Sequence, residues 1–283
     1  MSLSNLVSAQ SLYDHLNDPS YVIIDCRFDL TNPNKGEAEY QQSHIPGAIY
    51  AHLDRDLSGD VTPETGRHPL PEIEKFIALL STWGIDQSKH VVVYDTTGGA
   101  YASRLWWMLR SIGHPKTSLL DGGFAAWQND HYPIASGKEE NLPLQYLFKG
   151  ITTWSGTVTT EEVDHIRLDP AYCLIDARTP ERYQGKLEPI DPVAGHIPGA
   201  VNRFHGNNLR PDGTFKSPDT LKSEFNALLQ DRSPQNVIVY CGSGVTSCHH
   251  ILAMELCGLP GARLYAGSWS QWIRDPSRPI AKS

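Results

Sequence analysis

The chain of 283 residues contains no long uncharged apolar run, so we expect neither a membrane-spanning helix nor a membrane partner. It also has no basic stripe. Its net charge is −8 and its acidic and basic residues are interleaved, which argues against nucleic acid as a partner. The start of the chain, Met1 to Asn5, has neither a basic stretch nor an apolar core, so we expect no secretory signal.

Cysteine is scarce, and the spacing of the cysteines argues against a zinc site and against a disulfide-rich small protein. The five cysteines stand at positions 26, 173, 241, 248 and 257, without the paired C-x-x-C spacing of zinc sites and without the density of a disulfide framework. A reducing, cytoplasmic location is the simplest interpretation. We predict no metal and no cofactor.

What the chain does contain is an internal repeat. Four landmarks occur twice in the same order, separated by 145 to 152 residues. They are an apolar strand ending in Asp25 or Asp176, the sequence His-Ile-Pro-Gly-Ala at 44–48 and 196–200, an apolar strand followed by Asp95 or Cys241, and a glycine-containing turn at 121–123 and 266–268. Such self-similarity indicates two copies of one domain.

Strand-like and helix-like patterns alternate in each copy, which predicts an α/β fold with two mostly parallel sheets flanked by helices. We expect a first domain over 1–135, a linker rich in proline and glycine over 136–157, and a second domain over 158–283. The predicted strands are 22–25, 91–94, 118–120, 173–176 and 237–240, and the predicted helices are 6–16, 71–80, 101–112, 160–168, 217–229 and 247–257.

Cys241 follows the buried strand 237–240 and precedes a helix, where ligands bind in parallel sheets. Gly242 and Gly244 allow the backbone to curl around it, so that N–H groups can point at the sulfur. These donors, together with the positive end of the following helix, should lower the pKa of the thiol. The alternative is a small buried apolar residue, as most free cysteines are.

The two His-Ile-Pro-Gly-Ala elements invite a catalytic interpretation of His44 and His196. We interpret them instead as a turn that leads into a short strand. The histidine would then bind a backbone group or a nearby carboxylate.

These motifs together resemble the tandem-domain rhodanese sulfurtransferases, and the likeness covers nearly the whole chain. The resemblance implies a silent first domain, because Asp95 replaces the cysteine, and a catalytic second domain. It also implies that Cys241 attacks the outer sulfur of a donor, carries it as a persulfide in the loop that includes Val245 and Thr246, and gives it to a thiophilic acceptor. That acceptor would be cyanide, a small thiol or a reduced thioredoxin-like protein.

The resemblance further assigns a proton relay of Ser243, His68 and Asp54, with Asp56 as a near alternative to Asp54 and a surface role as the alternative for His68. The Gly-Ser-Gly loop resembles the type that uses 3-mercaptopyruvate, whose leaving enolate must be protonated.

Arg182 matches the arginine that binds the donor, while we expect Arg178 to pair structurally with nearby acids. Members of the mercaptopyruvate type usually have a second arginine shortly before the second His-Ile-Pro-Gly, but 188–193 contains none. Either Arg67 or another basic group replaces it, or the donor preference is looser and thiosulfate is also used.

Two other classes of function are less well supported by the residues. A phosphatase of the Cys-x5-Arg kind needs arginine at position 247, which is serine here. A non-catalytic binding module would agree with the loss of cysteine at Asp95, but it leaves the intact Cys241 loop unexplained.

Overall fold

The computed structural model describes residues 4–139, 151 and 153–283. Most of the predicted linker 136–157 lies outside these residues. The chain forms two compact units: one from the described residues of 1–59, 71–155 and 209–215, the other from 60–70, 156–208 and 216–283. The segment 60–70, which carries Arg67 and His68, therefore belongs to the second unit.

The first unit is built on a parallel sheet whose strands follow the order β1-β5-β4-β2-β3. Its strands are β1 Leu6–Val7, β2 Tyr21–Asp25, β3 Ile49–Tyr50, β4 His90–Tyr94 and β5 Thr117–Leu120. Its helices are α1 Ala9–Asp14, α2 Lys35–Gln42, α3 Leu53–Asp56, α4 Ile73–Thr82, α5 Ala102–Ser111 and α6 Gly123–Asn129.

The second unit has a parallel sheet with the strand order β7-β6-β8-β9. Its strands are β6 Cys173–Asp176, β7 Val201–Asn202, β8 Val237–Tyr240 and β9 Arg263–Leu264. Its α-helices are α7 Thr160–Ile166, α8 Pro180–Tyr183, α9 Pro218–Leu229, α10 Ser247–Leu256 and α11 Ser268–Trp272, and short 3-10 helices cover His205–Asn208 and Pro234–Asn236. The α/β prediction, with parallel sheets flanked by helices, is confirmed.

Local signals placed several boundaries correctly. Strands β6 and β8 have the predicted bounds. Helix α9 begins after Ser217, whose side chain accepts a hydrogen bond from the N–H of Thr220, and its buried face repeats every four residues at Leu221, Phe225 and Leu229. Capping and apolar periodicity therefore agree in this helix.

The prediction of one helix over 6–16 was wrong at its start. Leu6 and Val7 form β1, which pairs with Leu119 and Leu120 of β5. Ser8 then caps α1 by accepting a hydrogen bond from the N–H of Ser11. Helical periodicity cannot detect a strand of two residues, because only the partner strand satisfies its backbone groups.

Helix α4 also begins later than predicted, at Ile73, with Pro71 and Glu72 before it. Among the residues that the structure describes, no helix has the length and apolar character needed to cross a membrane.

The His-Ile-Pro-Gly-Ala elements have the structural role that we predicted. The Nδ1 atoms of His44 and His196 lie 2.7 Å from the carbonyl oxygens of Tyr40 and Tyr183, and each histidine stacks on that tyrosine. His44 also contacts the carboxylate of Glu139 at 3.2 Å. Strands β3 and β7 follow directly, so these histidines fix the entry to an edge strand.

Asp95 occupies the first-unit position that corresponds to Cys241. Its buried carboxylate accepts four backbone N–H hydrogen bonds of 2.8–2.9 Å, which come from Thr97, Gly99, Tyr101 and Ala102. The strand-to-helix turn of this unit thus holds an anion that belongs to the chain itself.

The Asp95→Asn variant should lower the free energy of unfolding of the protein by about 2–3 kcal/mol, because an amide offers one oxygen to four N–H donors and adds an N–H group of its own. Urea denaturation followed by circular dichroism measures this change. Asp130→Asn, at an exposed position, is the control. Equal stability of the two variants would contradict the role of the carboxylate.

Candidate active site

Cys241 lies at the carboxyl end of β8, immediately before the turn that leads into α10. Only 2 % of the residue is exposed. Strand β8 is paired on both sides, with β6 and β9, so the position of the sulfur is fixed by the middle of the sheet.

The loop 241–246 turns its backbone toward the sulfur. The N–H of Gly244 lies 3.2 Å from Sγ. Gly244 has a φ of +79°, and a Cβ at this position would collide with the carbonyl oxygen of Ala266, so only glycine fits here without strain.

Two opposing effects act on the pKa of Cys241. Burial is the largest single effect and raises the pKa, but hydrogen bonds from Thr246, Ser243 and Ser247 together outweigh it and lower the pKa below the ordinary value. A thiol with a lowered pKa forms the thiolate more readily than an ordinary thiol does, and the thiolate is the nucleophile. Burial instead raises the pKa of Cys26, Cys173 and Cys257.

Ser268 supports the loop from behind, and we did not identify it from the sequence. Its hydroxyl accepts the N–H of Cys241 at 3.1 Å and donates to the carbonyl of Tyr265 at 2.8 Å. Its φ is +55°, a left-handed conformation that is rare for serine. Gly123 holds the equivalent position of the first unit with a φ of +58°, so a repeat comparison would point to Ser268.

Ser243 and His68 lie together. The Oγ of Ser243 is 2.7 Å from Nδ1 of His68, and both residues are buried. His68 reaches the loop because the segment 60–70 packs in the second unit, where the N–H of Arg67 also donates to the hydroxyl of Ser270 at 3.0 Å. This pair joins a hydroxyl next to the thiol to a titratable ring.

Two guanidinium groups lie over Gly242. A Cβ on this glycine would be 2.9 Å from a terminal nitrogen of Arg67 and 3.4 and 3.5 Å from those of Arg182. The absence of a side chain at 242 therefore lets both cations approach the loop backbone.

Two buried carboxylates hold these arginines. Arg182 binds Glu188 through Nε at 3.0 Å and Asp191 at 3.1 Å, and Arg67 binds Asp191 as well. The Nε of Arg67 is buried and has no hydrogen-bond partner among the described residues. We did not predict that the segment 188–193, which lacks the expected arginine, supplies the counter-charges of Arg67 and Arg182 instead.

Arg178 has a structural role, as we predicted. It binds the buried carboxylate of Asp176 at 2.6 Å, Glu188 at 3.2 Å and the carbonyl of Gly195 at 2.7 Å. Arg27 and Asp25 repeat this pair in the first unit at 2.6 Å.

The remaining site candidates have simpler surroundings. Val245 is buried, and its carbonyl accepts the N–H of Cys248 at 3.1 Å. Asp54 is exposed on α3 of the first unit, and its place in the relay stays a prediction. Nearby, the half-buried Asp56 accepts the N–H of His52 at 2.7 Å, and burial raises its pKa.

The cysteines are all free and buried, and Cys248 donates weakly to the carbonyl of Gly244 at 3.5 Å. Within the described part of the chain, no three histidine, cysteine, aspartate or glutamate side chains come together in a way that could hold a metal ion.

The lowered pKa of Cys241 predicts a thiolate at a pH where ordinary thiols are protonated. Thiolate absorbance near 240 nm, compared between the protein and its Cys241→Ser variant, should show a transition with a midpoint below the ordinary value of about 8.5. Because the thiolate is lost as the pH falls through this midpoint, any chemistry that needs it should be lost in the same range. A difference spectrum that appears only above pH 9 would contradict the role of the loop.

The comparisons with known proteins agree with this geometry. The family model of the rhodanese-like domain matches twice, over 8–130 and 159–275. A Pseudomonas aeruginosa protein named "Probable 3-mercaptopyruvate sulfurtransferase" is 44% identical over 283 residues, which is 99% of each chain. The thiosulfate sulfurtransferase of Rattus norvegicus is 36% identical over 94% of this chain and 89% of its own length.

A solved structure has the same fold over nearly its whole length. It is SseA from Escherichia coli, described as a 3-mercaptopyruvate sulfotransferase, which is 34% identical, covers 94% of this chain and 99% of its own, and has a TM-score of 0.81. The chain therefore belongs to the rhodanese family and contains two rhodanese-like domains.

Proposed function

We propose that this protein transfers sulfur from 3-mercaptopyruvate to a thiophilic acceptor and carries it as a persulfide on Cys241. Relatives named as sulfurtransferases match it over more than nine-tenths of its length, and the chain is a sulfurtransferase enzyme. The observation that carries the choice of donor is the 2.7 Å contact between Ser243 and His68, beside a thiol whose pKa is lowered.

In the first half-reaction the thiolate of Cys241 attacks the sulfur of the donor. The carbon–sulfur bond breaks, and its electron pair stays on carbon as the enolate of pyruvate. Ser243 gives a proton to that carbon and regains one through His68. The new persulfide loses its own proton, so the two protons balance, and the N–H groups of the loop stabilise the anion that remains.

In the second half-reaction the acceptor attacks the outer sulfur. The sulfur–sulfur bond breaks, and its electron pair returns to Cys241 as thiolate. Cyanide would leave as thiocyanate and a small thiol as a persulfide. A thioredoxin-like reductant is a further acceptor that we propose, and the five free thiols support a reducing, cytoplasmic setting.

The donor's carboxylate would bind at Gly242 between Arg67 and Arg182. Their planar donors suit a carboxylate, and the buried Nε of Arg67 has a hydrogen bond to offer. We propose that Arg67 takes the place of the arginine missing from 188–193. Gly242 and Gly244 leave room for the anion, and Val245 and Thr246 complete the loop around it.

We also propose that the first copy, 1–135, is silent and joined by 136–157 to the catalytic copy, 158–283. The support comes from Asp95, whose carboxylate takes the N–H groups that a persulfide would need.

Thiosulfate is the second candidate donor. Two arginines beside the loop would attract any anion, and a thiosulfate sulfurtransferase is among the relatives. However, Asp191 and Glu188 already neutralise these arginines, which favours the monoanion 3-mercaptopyruvate over a dianion.

Steady-state kinetics with cyanide as acceptor test the choice of donor. We expect kcat/KM to be higher for 3-mercaptopyruvate than for thiosulfate. Asp191→Asn should move the ratio toward thiosulfate by about tenfold, because a dianion gains more than a monoanion when a negative charge is removed. Asp231→Asn, an exposed change of the same charge, should leave the ratio unchanged. A preference of the native protein for thiosulfate would refute 3-mercaptopyruvate as the main donor. No turnover of either donor would refute the proposed enzymatic function.

His68→Asn tests the relay. It should lower kcat for 3-mercaptopyruvate about 100-fold, since general acid catalysis is lost, and change thiosulfate turnover little, because sulfite leaves without needing a proton on carbon. His165→Asn, at an exposed position, is the matched control. Equal losses with both donors would mean that His68 only holds the loop in place.

A further inference from the structure

Ser247 is the first residue of α10, and its surroundings are unusual for a serine in a helix. Its hydroxyl is fully buried and has no hydrogen-bond partner of ordinary geometry among the described residues. Serines in helices commonly donate to the carbonyl four residues earlier, as Ser81 does to Ile77 at 3.2 Å. For Ser247 the residue four positions earlier is Ser243. Ser243 lies in the loop before the helix, so Ser247 has no preceding helical turn to which its hydroxyl could donate.

The group on which this hydroxyl acts is the thiol of Cys241. The N–H and the hydroxyl of Ser247 both help to lower the pKa of the thiol, yet the hydroxyl makes no hydrogen bond of ordinary geometry with it. A buried hydroxyl without a partner is destabilising, and a negatively charged sulfur beside it would relieve that cost. The state that differs from the free thiol is the one with a negatively charged or enlarged sulfur.

We propose that Ser247 is a catalytic residue, whose hydroxyl donates a hydrogen bond to the anionic sulfur on Cys241 during sulfur transfer. This inference rests on the proposed function. The hydroxyl stabilises the thiolate that attacks the donor and the persulfide anion that results, while the bonds made and broken are those of the two half-reactions above. Position 247 is the one where a phosphatase of the Cys-x5-Arg kind would need arginine, and a neutral donor there suits a single sulfur better than a phosphate.

The first unit supplies a matched comparison. Ser103 lies near the start of α5, is also fully buried and has no partner for its hydroxyl among the described residues. The hydrogen bonds that Asp95 accepts come from backbone N–H groups. An unpartnered buried hydroxyl near the start of this helix therefore occurs in both units, which makes Ser103→Ala the matched control.

The experiment compares Ser247→Ala with Ser103→Ala in the full-length protein. We expect Ser247→Ala to move the midpoint of the Cys241 thiolate absorbance to higher pH. We also expect it to slow persulfide formation from 3-mercaptopyruvate about tenfold at pH 6 in single turnovers, because a hydrogen bond to a charged group is lost. The loss should shrink at pH values above the midpoint, where the thiolate is fully formed in both proteins. Ser103→Ala should change neither quantity.

A second pair separates the hydroxyl from packing. Ser247→Thr keeps the hydroxyl, and Ser247→Val has the same shape without it, so only the valine variant should reproduce the alanine result. An unchanged midpoint and loading rate in folded Ser247→Ala would overturn the proposal, as would equal effects of Thr and Val. Failure of the native protein to form a persulfide would instead refute the proposed function, and the absorbance midpoint would still report on Ser247.

Discussion

Each domain depends on one electrostatic constraint, the need for an anion where the turn after the central strand gathers backbone N–H groups. In the first domain the carboxylate of Asp95 satisfies four such groups within 2.9 Å. In the second domain the thiol of Cys241 stands at the equivalent point, where burial raises its pKa but hydroxyl and N–H donors of the loop together lower it by more. The donors at this turn are therefore satisfied by a carboxylate in one domain and face a thiol in the other.

Ion pairs balance the charges near the strand-to-helix turn of each domain. Asp176 and Arg178 form a buried pair that ties the end of β6 to the carbonyl of Gly195, and Asp25 with Arg27 repeats the pair in the first domain. The repeat shows that this pair serves the fold. Arg67 and Arg182 take their carboxylate partners from 188–191. A buried arginine without a partner would be costly, so the counter-charges hold the cations in place and moderate their attraction for donors.

The segment 60–70 belongs to the second unit although it lies in the first half of the chain. It lies in sequence between α3 and α4 of the first domain, yet it packs in the second. This placement brings His68 to Ser243 and Arg67 to Gly242, residues that are more than 170 positions away in sequence. A fragment that contains only the second copy would thus lack the ring of His68 and the guanidinium group of Arg67.

The sequence by itself determined the repeat, the α/β class, the strands β6 and β8, the helix α9 and the structural histidines, because each leaves a local pattern of apolar period, caps and turns. It also pointed to Cys241, since a cysteine between a strand and a glycine loop is a local signal. Only the tertiary structure decided the two-residue strand β1, the left-handed Ser268, the carboxylates that hold Arg67 and Arg182, and the unpartnered hydroxyl of Ser247. Those features depend on contacts between residues that are far apart in the chain, and a local sequence pattern carries no information about such contacts.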